Sequence, residues 1–441
     1  MKQAPRSEEK FYIFVRVFIL GYPWHGSCWA VIDMTTTMTG PGESFILKPE
    51  RPSTPIEKPS ILILGTRGIP ASHGGFETFA ERLALFLAAR GWKVGVYCQK
   101  EVERVGQRVT IDTWRGIELI TIEVASRGPR ATLEFDWQCV LDAARRPGVC
   151  LVLGYNGAVF LTWLRLMRRK IITNMDGIEW RRPKWGPAAR AWFWLNEWIG
   201  AWLSHRLIAD HPAIADHLAT RRPRSAIATI AYGADPVTSA PEEPVRALGL
   251  EPGKYLVSIA RIEPDNNILP IIEAFRRRER GDMKLVVLGT LNDDIPYHRA
   301  VREAAGTTVV MPGAIYDHST VRALRYHARA YMHGHTVGGT NPSLVEALAA
   351  GNMVIAHDNR YNRWVAGEAA IYFNDTDSLS ARIDAALADD ALVARCSKAA
   401  RARAREDFRW EDVLAAYEKE ALRQLGSATA ASAQADRAKH A

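Results

Sequence analysis

From Ser60 onward the chain alternates short β-branched runs with longer stretches of helical periodicity, a pattern that restricts it to βαβ units and parallel sheets. In the first half, strands are predicted at 61–65, 94–98, 117–124, 151–154, 170–174, 206–210 and 226–230. A second series follows at 255–260, 284–289, 308–313, 330–334, 353–358 and 370–374. The two series meet at YGADPVTSAPEEP, 232–244, whose proline, serine and glycine mark a linker. The expected fold is α/β, with two doubly wound Rossmann-like domains at 59–235 and 236–424 and a cleft between the carboxyl ends of their sheets. The last helix is expected to be able to pack back on the first domain. At 441 residues and 47% apolar, the chain can fill two cores.

The flanks read differently. The apolar stretch at 11–32 is broken by Arg16, Pro23 and His25 well short of a membrane span, and no small-residue cleavage site follows it. A Pro/Thr/Ser-rich piece comes next, with Met34 and Met38 as alternative starts, so 1–58 is expected to be a disordered or mis-assigned extension. The small polar residues of 425–441 read as a disordered tail. Five cysteines (28, 98, 139, 150 and 396) lie mostly in apolar runs without zinc-type spacing, so reduced thiols in a cytosolic protein and no metal are expected. The formal net charge of +8 suits a phosphate-bearing partner or an anionic membrane. No nucleic-acid motif accompanies it, and nucleic acid is not an expected partner.

Four segments carry chemistry. In GTRGIPASHGGFETFAERL, 65–83, Gly74 and Gly75 precede a helix with Phe76, Phe79, Ala80 and Leu83 at helical spacing. Glycines there let a ligand approach the backbone, and free helix N–H groups favour an anion or a sugar hydroxyl. A tight βα turn with nothing bound uses the same residues. Glu77 and Glu81 share a helix face, where such a pair is ordinarily solvated. In NMDGIEWRRPKWG, 174–186, Asp176 and Glu179 follow a strand end that points into the cleft, where Asp176 can accept a proton from an attacking hydroxyl. An Asx turn is the structural alternative. The run after it, 180–206, holds six tryptophans among arginines and a lysine, as an interfacial helix or a core helix with a basic rim would.

In ARIEPDNN, 260–267, Arg261 ends a strand where it can hold a diphosphate bidentately or pair with Glu263 at the surface. In HTVGGTNPSLVEALAAGN, 335–352, Thr340 or Asn341 caps a helix and Pro342 suits its first turn. Ser343 and Leu344 would present free N–H groups to a phosphate, and Glu346, one turn on, can hold both ribose hydroxyls.

These segments together resemble glycosyltransferase family 4, with the GT-B fold, and their wording resembles its bacterial rhamnosyltransferase-like subgroup. The resemblance spans roughly 60–420. It implies metal-independent, cofactor-free transfer of a sugar from a nucleotide donor to a hydroxyl, the nucleotide sugar being a substrate. Glu346 matches the ribose-binding carboxylate, Arg261 the diphosphate cation and 341–344 the phosphate cradle, with Thr340 and Asn267 beside them. Gly74 and Gly75 match the loop that closes over the donor, Asp176 the general base or orienting group, and His73, Glu77 and Glu179 fall on the acceptor side. Two departures stand out: Gly338 replaces an acid that in the family reaches the donor sugar, and asparagines at 266–267 replace a lysine. The expected activity is transfer of rhamnose from dTDP-rhamnose to a polyprenyl-diphosphate-linked or other glycan in cell-surface polysaccharide synthesis. The expected location is the cytoplasmic face of the cell membrane. A nucleotide-sugar epimerase and a non-catalytic membrane-associated scaffold are the alternatives for the same fold.

Overall fold

A computed structural model describes residues 58–71 and 74–439, with side chains as far as 426. Residues 1–57 of the extension expected at 1–58, with its alternative starts, and His73 lie outside the described residues.

The first sheet is built from β1 (Ser60–Leu64), β2 (Lys93–Glu101), β3 (Val109–Trp114), β4 (Ile117–Val124), β5 (Val149–Leu153), β6 (Lys170–Asn174), β7 (Arg206–Ala209) and β8 (Ile227–Thr229). Their spatial order is β3-β4-β2-β1-β5-β6-β7-β8, parallel except for the β3–β4 pair. The second sheet contains β9 (Tyr255–Ile259), β10 (Lys284–Leu288), β11 (Val309–Gly313), β12 (Ala330–His333), β13 (Val354–His357) and β14 (Ala370–Phe373). It is parallel throughout, in the order β11-β10-β9-β12-β13-β14.

The strands are apolar on both faces because helices cover both faces. In β1, Leu62 and Leu64 join one core with Phe135, Val140 and Leu161, while Ile61 and Ile63 join another with Phe79, Leu83 and Leu87. The same two-residue alternation divides β9: Leu256 packs with Ile271 and Leu285, and Val257 with Leu324 and Leu348. Strand order reverses at β1/β5 in one sheet and at β9/β12 in the other, and those reversals position the ligand crevice of doubly wound sheets.

Two features differ from the sequence reading. Strand β3 is not among the predicted strands. It pairs antiparallel with β4 around Arg115 and Gly116, both at positive φ (49° and 81°), a two-residue hairpin turn that lacks the usual Asn-Gly signal. The final helix, Trp410–Lys439, keeps helical backbone through 425–439 in place of the expected disordered tail. Its first turns return to the amino-terminal domain: Trp410, Val413, Leu414 and Tyr417 are buried with Phe79, Ile208 and Ile230. Glu418 accepts from Arg90 and Trp92, and Glu420 from Arg206, so the return crossing is both apolar and ionic.

Candidate functional site

The carboxyl ends of the two sheets enclose a cavity of about 310 Å³. Asp176, Arg182 and Asp210 line it from one domain, and Arg261, His335 and residues 337–342 from the other. The walls approach closely at two glycines of the amino-terminal domain. A β-carbon added to Gly75 would lie 3.1 Å from Pro342, and one added to Gly177 would lie 3.6 Å from the Cα of Gly338. Gly75 and Pro342 each open a helix, Gly75–Ala89 and Pro342–Ala349, so two positive helix ends face across the cleft.

Asp176 is presented by an Asx turn, but not one of its own making. Asn174, the last residue of β6, accepts the Asp176 N–H at 2.9 Å and donates through its amide to the Tyr417 hydroxyl at 2.7 Å. Asp176 is left at φ 50°, a left-handed conformation that Asp and Asn tolerate better than most residues. Burial, then the neighbouring Glu179 carboxylate, pushes its carboxyl up to about 6. Glu179 also lines the cleft, yet its oxygens are engaged by Arg182 and Trp185, each at 3.1 Å. It therefore builds the wall and positions Arg182. That arginine spans the domains, donating to Asp265 at 2.9 Å and Glu263 at 3.3 Å.

The residues expected to bind the donor separate into two groups. Arg261, Thr340, Asn341 and Pro342 line the cavity. Arg261 is mostly exposed and stands 3.4 Å from Glu263, so its cleft position and its ion pair coexist. Ser343 and Leu344 do not line the cavity, and their N–H groups are not free: the Asn341 side chain accepts the first at 3.0 Å and the Asn341 carbonyl the second at 3.1 Å. The Ser343 hydroxyl turns inward to Ile259 and Tyr331. Glu346 forms an ion pair with the buried Arg325 at 2.6 Å, with its side chain 37% exposed. Asn267 does not reach the cavity. Held at φ 52°, it donates to the Gly334 carbonyl at 2.8 Å and fastens the loop after β9 to the end of β12.

In the first βα loop, Gly74 adopts φ 100°, where a side chain would be strained and would also meet the Glu77 carboxylate. Glu77 and Glu81 are not a solvated pair; they turn back to accept the N–H groups of Arg67 (3.1 Å) and Ala71 (2.6 Å) and so hold the first βα loop. Glu77 lines a second cavity, of about 240 Å³, where the strand order reverses between β1 and β5. Asp136 is its other carboxyl, pushed up to about 7 by burial.

Three cleft residues have no place in the sequence reading. Asp210 follows β7 as Asp176 follows β6, and strand-end position was the available signal; burial and the Asp176 charge push it up to about 8. His335 stacks on the buried His333 at 4.4 Å, and burial lowers it to about 4, leaving a neutral imidazole in the wall. Tyr417 arrives from the last helix, 243 positions from Asn174, with no local signal at all.

The tryptophan-rich segment forms the helix Pro187–Leu203. Its buried face carries Phe193, Asn196, Glu197, Gly200 and Ala201, and Glu197 is satisfied by Trp180, His217 and Arg221. Trp180, Trp185 and Trp198 are half-buried, whereas Trp192, Trp194, Leu195 and Trp202 are exposed, as are Trp163, Leu166 and Met167 in and just after the helix Leu161–Leu166. The six tryptophans therefore serve both readings, core and surface. Among the described residues, no helix is long and apolar enough to cross a membrane.

Residues 242–403 match the family model for glycosyl transferases group 1. That match falls within the second domain. Residues 58–235 match a model described only as a domain of unknown function, DUF1972. No curated protein matches the chain. Among solved structures, sucrose-phosphate synthase from Thermosynechococcus elongatus superposes with a TM-score of 0.68 at 19% identity, over 84% of this chain and 100% of that one. The trehalose-phosphate synthase (UDP-forming) of Burkholderia xenovorans, in complex with glucose-6-phosphate, gives 0.65 at 13% identity, over 82% and 100%. Anabaena HepE in complex with UDP gives 0.62 at 14%, over 82% and 99%. These similarities establish the GT-B fold, and the segment that matches the group 1 model forms the Arg261 and Asn341 side of the cleft.

Proposed function

We propose that the protein is a glycosyltransferase that moves a sugar, rhamnose from dTDP-rhamnose, to a lipid-linked glycan hydroxyl at the cytoplasmic face of a membrane. The observation that carries the reading is the convergence of Arg261, residues 340–342 and Asp176 on one cavity at the ends of both sheets. In this reading Arg261 and the helix start at Asn341 take the charge of the departing nucleoside diphosphate, without a metal or other cofactor. In this reading a phosphate oxygen takes the Ser343 N–H in place of the Asn341 side chain that caps the helix. Glu346, partly exposed beside Arg325, takes the ribose hydroxyls. Asp176, raised to about 6 and so a stronger base that is still mostly ionised at neutrality, receives the proton of the acceptor hydroxyl or orients that hydroxyl. The cavity lined by Glu77 and Asp136 lies on the acceptor side.

The exposed Trp163, Leu166, Met167, Trp194, Leu195 and Trp202, with Arg165 and Arg168 among them, support a peripheral membrane contact. The rhamnose, the dTDP carrier and the lipid-linked acceptor rest on the resemblance of the four motifs. A donor panel incubated with and without a polyprenyl-diphosphate-linked acceptor, read by mass spectrometry, tests them. Transfer only when acceptor is present supports the reading. A sugar altered by donor and protein alone indicates an epimerase, and absence of nucleotide binding indicates a scaffold. Full transfer by both Arg261→Ala and Glu346→Ala would remove the donor-site assignment.

A further inference from the structure

At the end of β7 the amino-terminal domain places one side chain against the glycine loop of the other domain. Asp210 Oδ2 accepts the Thr340 N–H at 2.9 Å, and the Thr340 hydroxyl donates to the Asp210 carbonyl. The second carboxyl oxygen, Oδ1, is buried and without a hydrogen-bond partner, and Asp210 lines the cleft cavity. Opposite it is Gly339, where any β-carbon would collide with both oxygens. The loop therefore has no side chain at this point, and a carboxyl from the other domain fills the space. His335 Nδ1, on the same cavity wall, is also buried without a partner.

Buried polar atoms left unpaired are costly, and two of them bordering one cavity point to a ligand that supplies hydrogen-bonding groups. A phosphate suits the position facing Asp210 less well than a hydroxyl does, because the ionised carboxylate repels it. The phosphates have Arg261 and the helix start at Asn341. A carboxyl bonds a hydroxyl in either protonation state, accepting when ionised and donating when neutral. We propose that Asp210, held against Gly339 and Thr340, binds a hydroxyl of the donor sugar and is a sugar-selecting residue contributed by the domain opposite the nucleotide. The proposal rests on the reading of this cleft as a nucleotide-sugar site. It also makes sugar recognition depend on apposition of the two domains, because the nucleotide half of the ligand and the carboxyl belong to different sheets.

The test compares nucleotide with nucleotide sugar on the full chain. Calorimetric affinities for dTDP, UDP and GDP, and for dTDP-rhamnose, UDP-glucose and GDP-mannose, are measured for the unaltered protein, Asp210→Ala and Gly339→Ala. The second substitution displaces the carboxyl without removing it, and retained diphosphate binding shows that each variant is folded. The expected result is that diphosphate affinities stay within about twofold, while affinity for the preferred nucleotide sugar falls about tenfold or more in both variants. Equal losses for diphosphate and nucleotide sugar would overturn the proposal and make Asp210 a domain latch. Unchanged affinity for every nucleotide sugar would overturn it outright. No nucleotide binding by the unaltered protein would instead sink the donor-site reading beneath it.

Discussion

Replacing Asp176 with asparagine separates the cost of a buried carboxyl from its use. Asparagine keeps the size, tolerates φ near 50° and leaves the N–H bond to Asn174 intact, so the loop has no reason to move. What changes is the penalty for ionisation. The carboxyl is raised from the ordinary 3.8 to about 6, first by burial and then by Glu179. At about 1.4 kcal/mol for each tenfold change in proton affinity, that gap corresponds to ~3 kcal/mol as a ceiling. Water in the open cleft screens part of it, and ~1–2 kcal/mol is the working expectation. The sign follows from linkage: a raised carboxyl costs nothing below pH 3.8, where folded and unfolded chains are both protonated, and its full cost is present once the pH passes about 6. Urea-unfolding midpoints should therefore nearly coincide for the two proteins near pH 4, with the asparagine variant more stable at pH 7.5. Transfer by the same variant should fall on the order of a hundredfold or more if Asp176 handles the acceptor proton. A variant less stable at pH 7.5, or a stability gap that does not depend on pH, would refute the burial argument. Unchanged transfer would remove Asp176 from the chemistry.

Arg182→Ala should cost about 3–5 kcal/mol, because Asp265, only 4% exposed, loses the guanidinium that neutralises it; Arg182→Met with Asp265→Asn should recover much of that loss in thermal melts. Tyr417→Phe should cost about 1–2 kcal/mol by leaving the buried Asn174 amide without an acceptor. The same change should lower transfer, because Asn174 makes the turn that presents Asp176. Glu346→Ala should destabilise the fold as well as weaken nucleotide binding, since it strands the buried Arg325; Glu346→Gln should spare stability more than binding, as paired melting and calorimetry would show. Replacing Trp194, Leu195 and Trp202 by alanine should reduce flotation with anionic liposomes. Trp198, half-buried under Arg221, should when replaced cost stability more than flotation.

Sequence alone was sufficient wherever a residue's role depends on its neighbours in the chain. Parallel strands buried on both faces must be apolar throughout, so the runs at 61–65, 206–210 and 353–358 were legible, and with them the doubly wound order. Strand β3 was not, because a half-exposed edge strand around an Arg-Gly turn has neither that composition nor a turn signal. The glycine loops, the cap at Asn341 and the strand-end position of Asp176 were likewise local. Tertiary structure decided how these groups are used. It showed that Asn341 occupies the Ser343 N–H, that Asn267 fastens a loop, and that Glu77 turns back on its own loop. It also brought Tyr417 to Asn174, Arg182 to Asp265 and Asp210 to Thr340, pairs separated by 243, 83 and 130 positions. The reason is physical: propensity and periodicity act over a few residues, whereas a carboxyl's partners, burial and proton affinity depend on which strand ends the folded sheets place together.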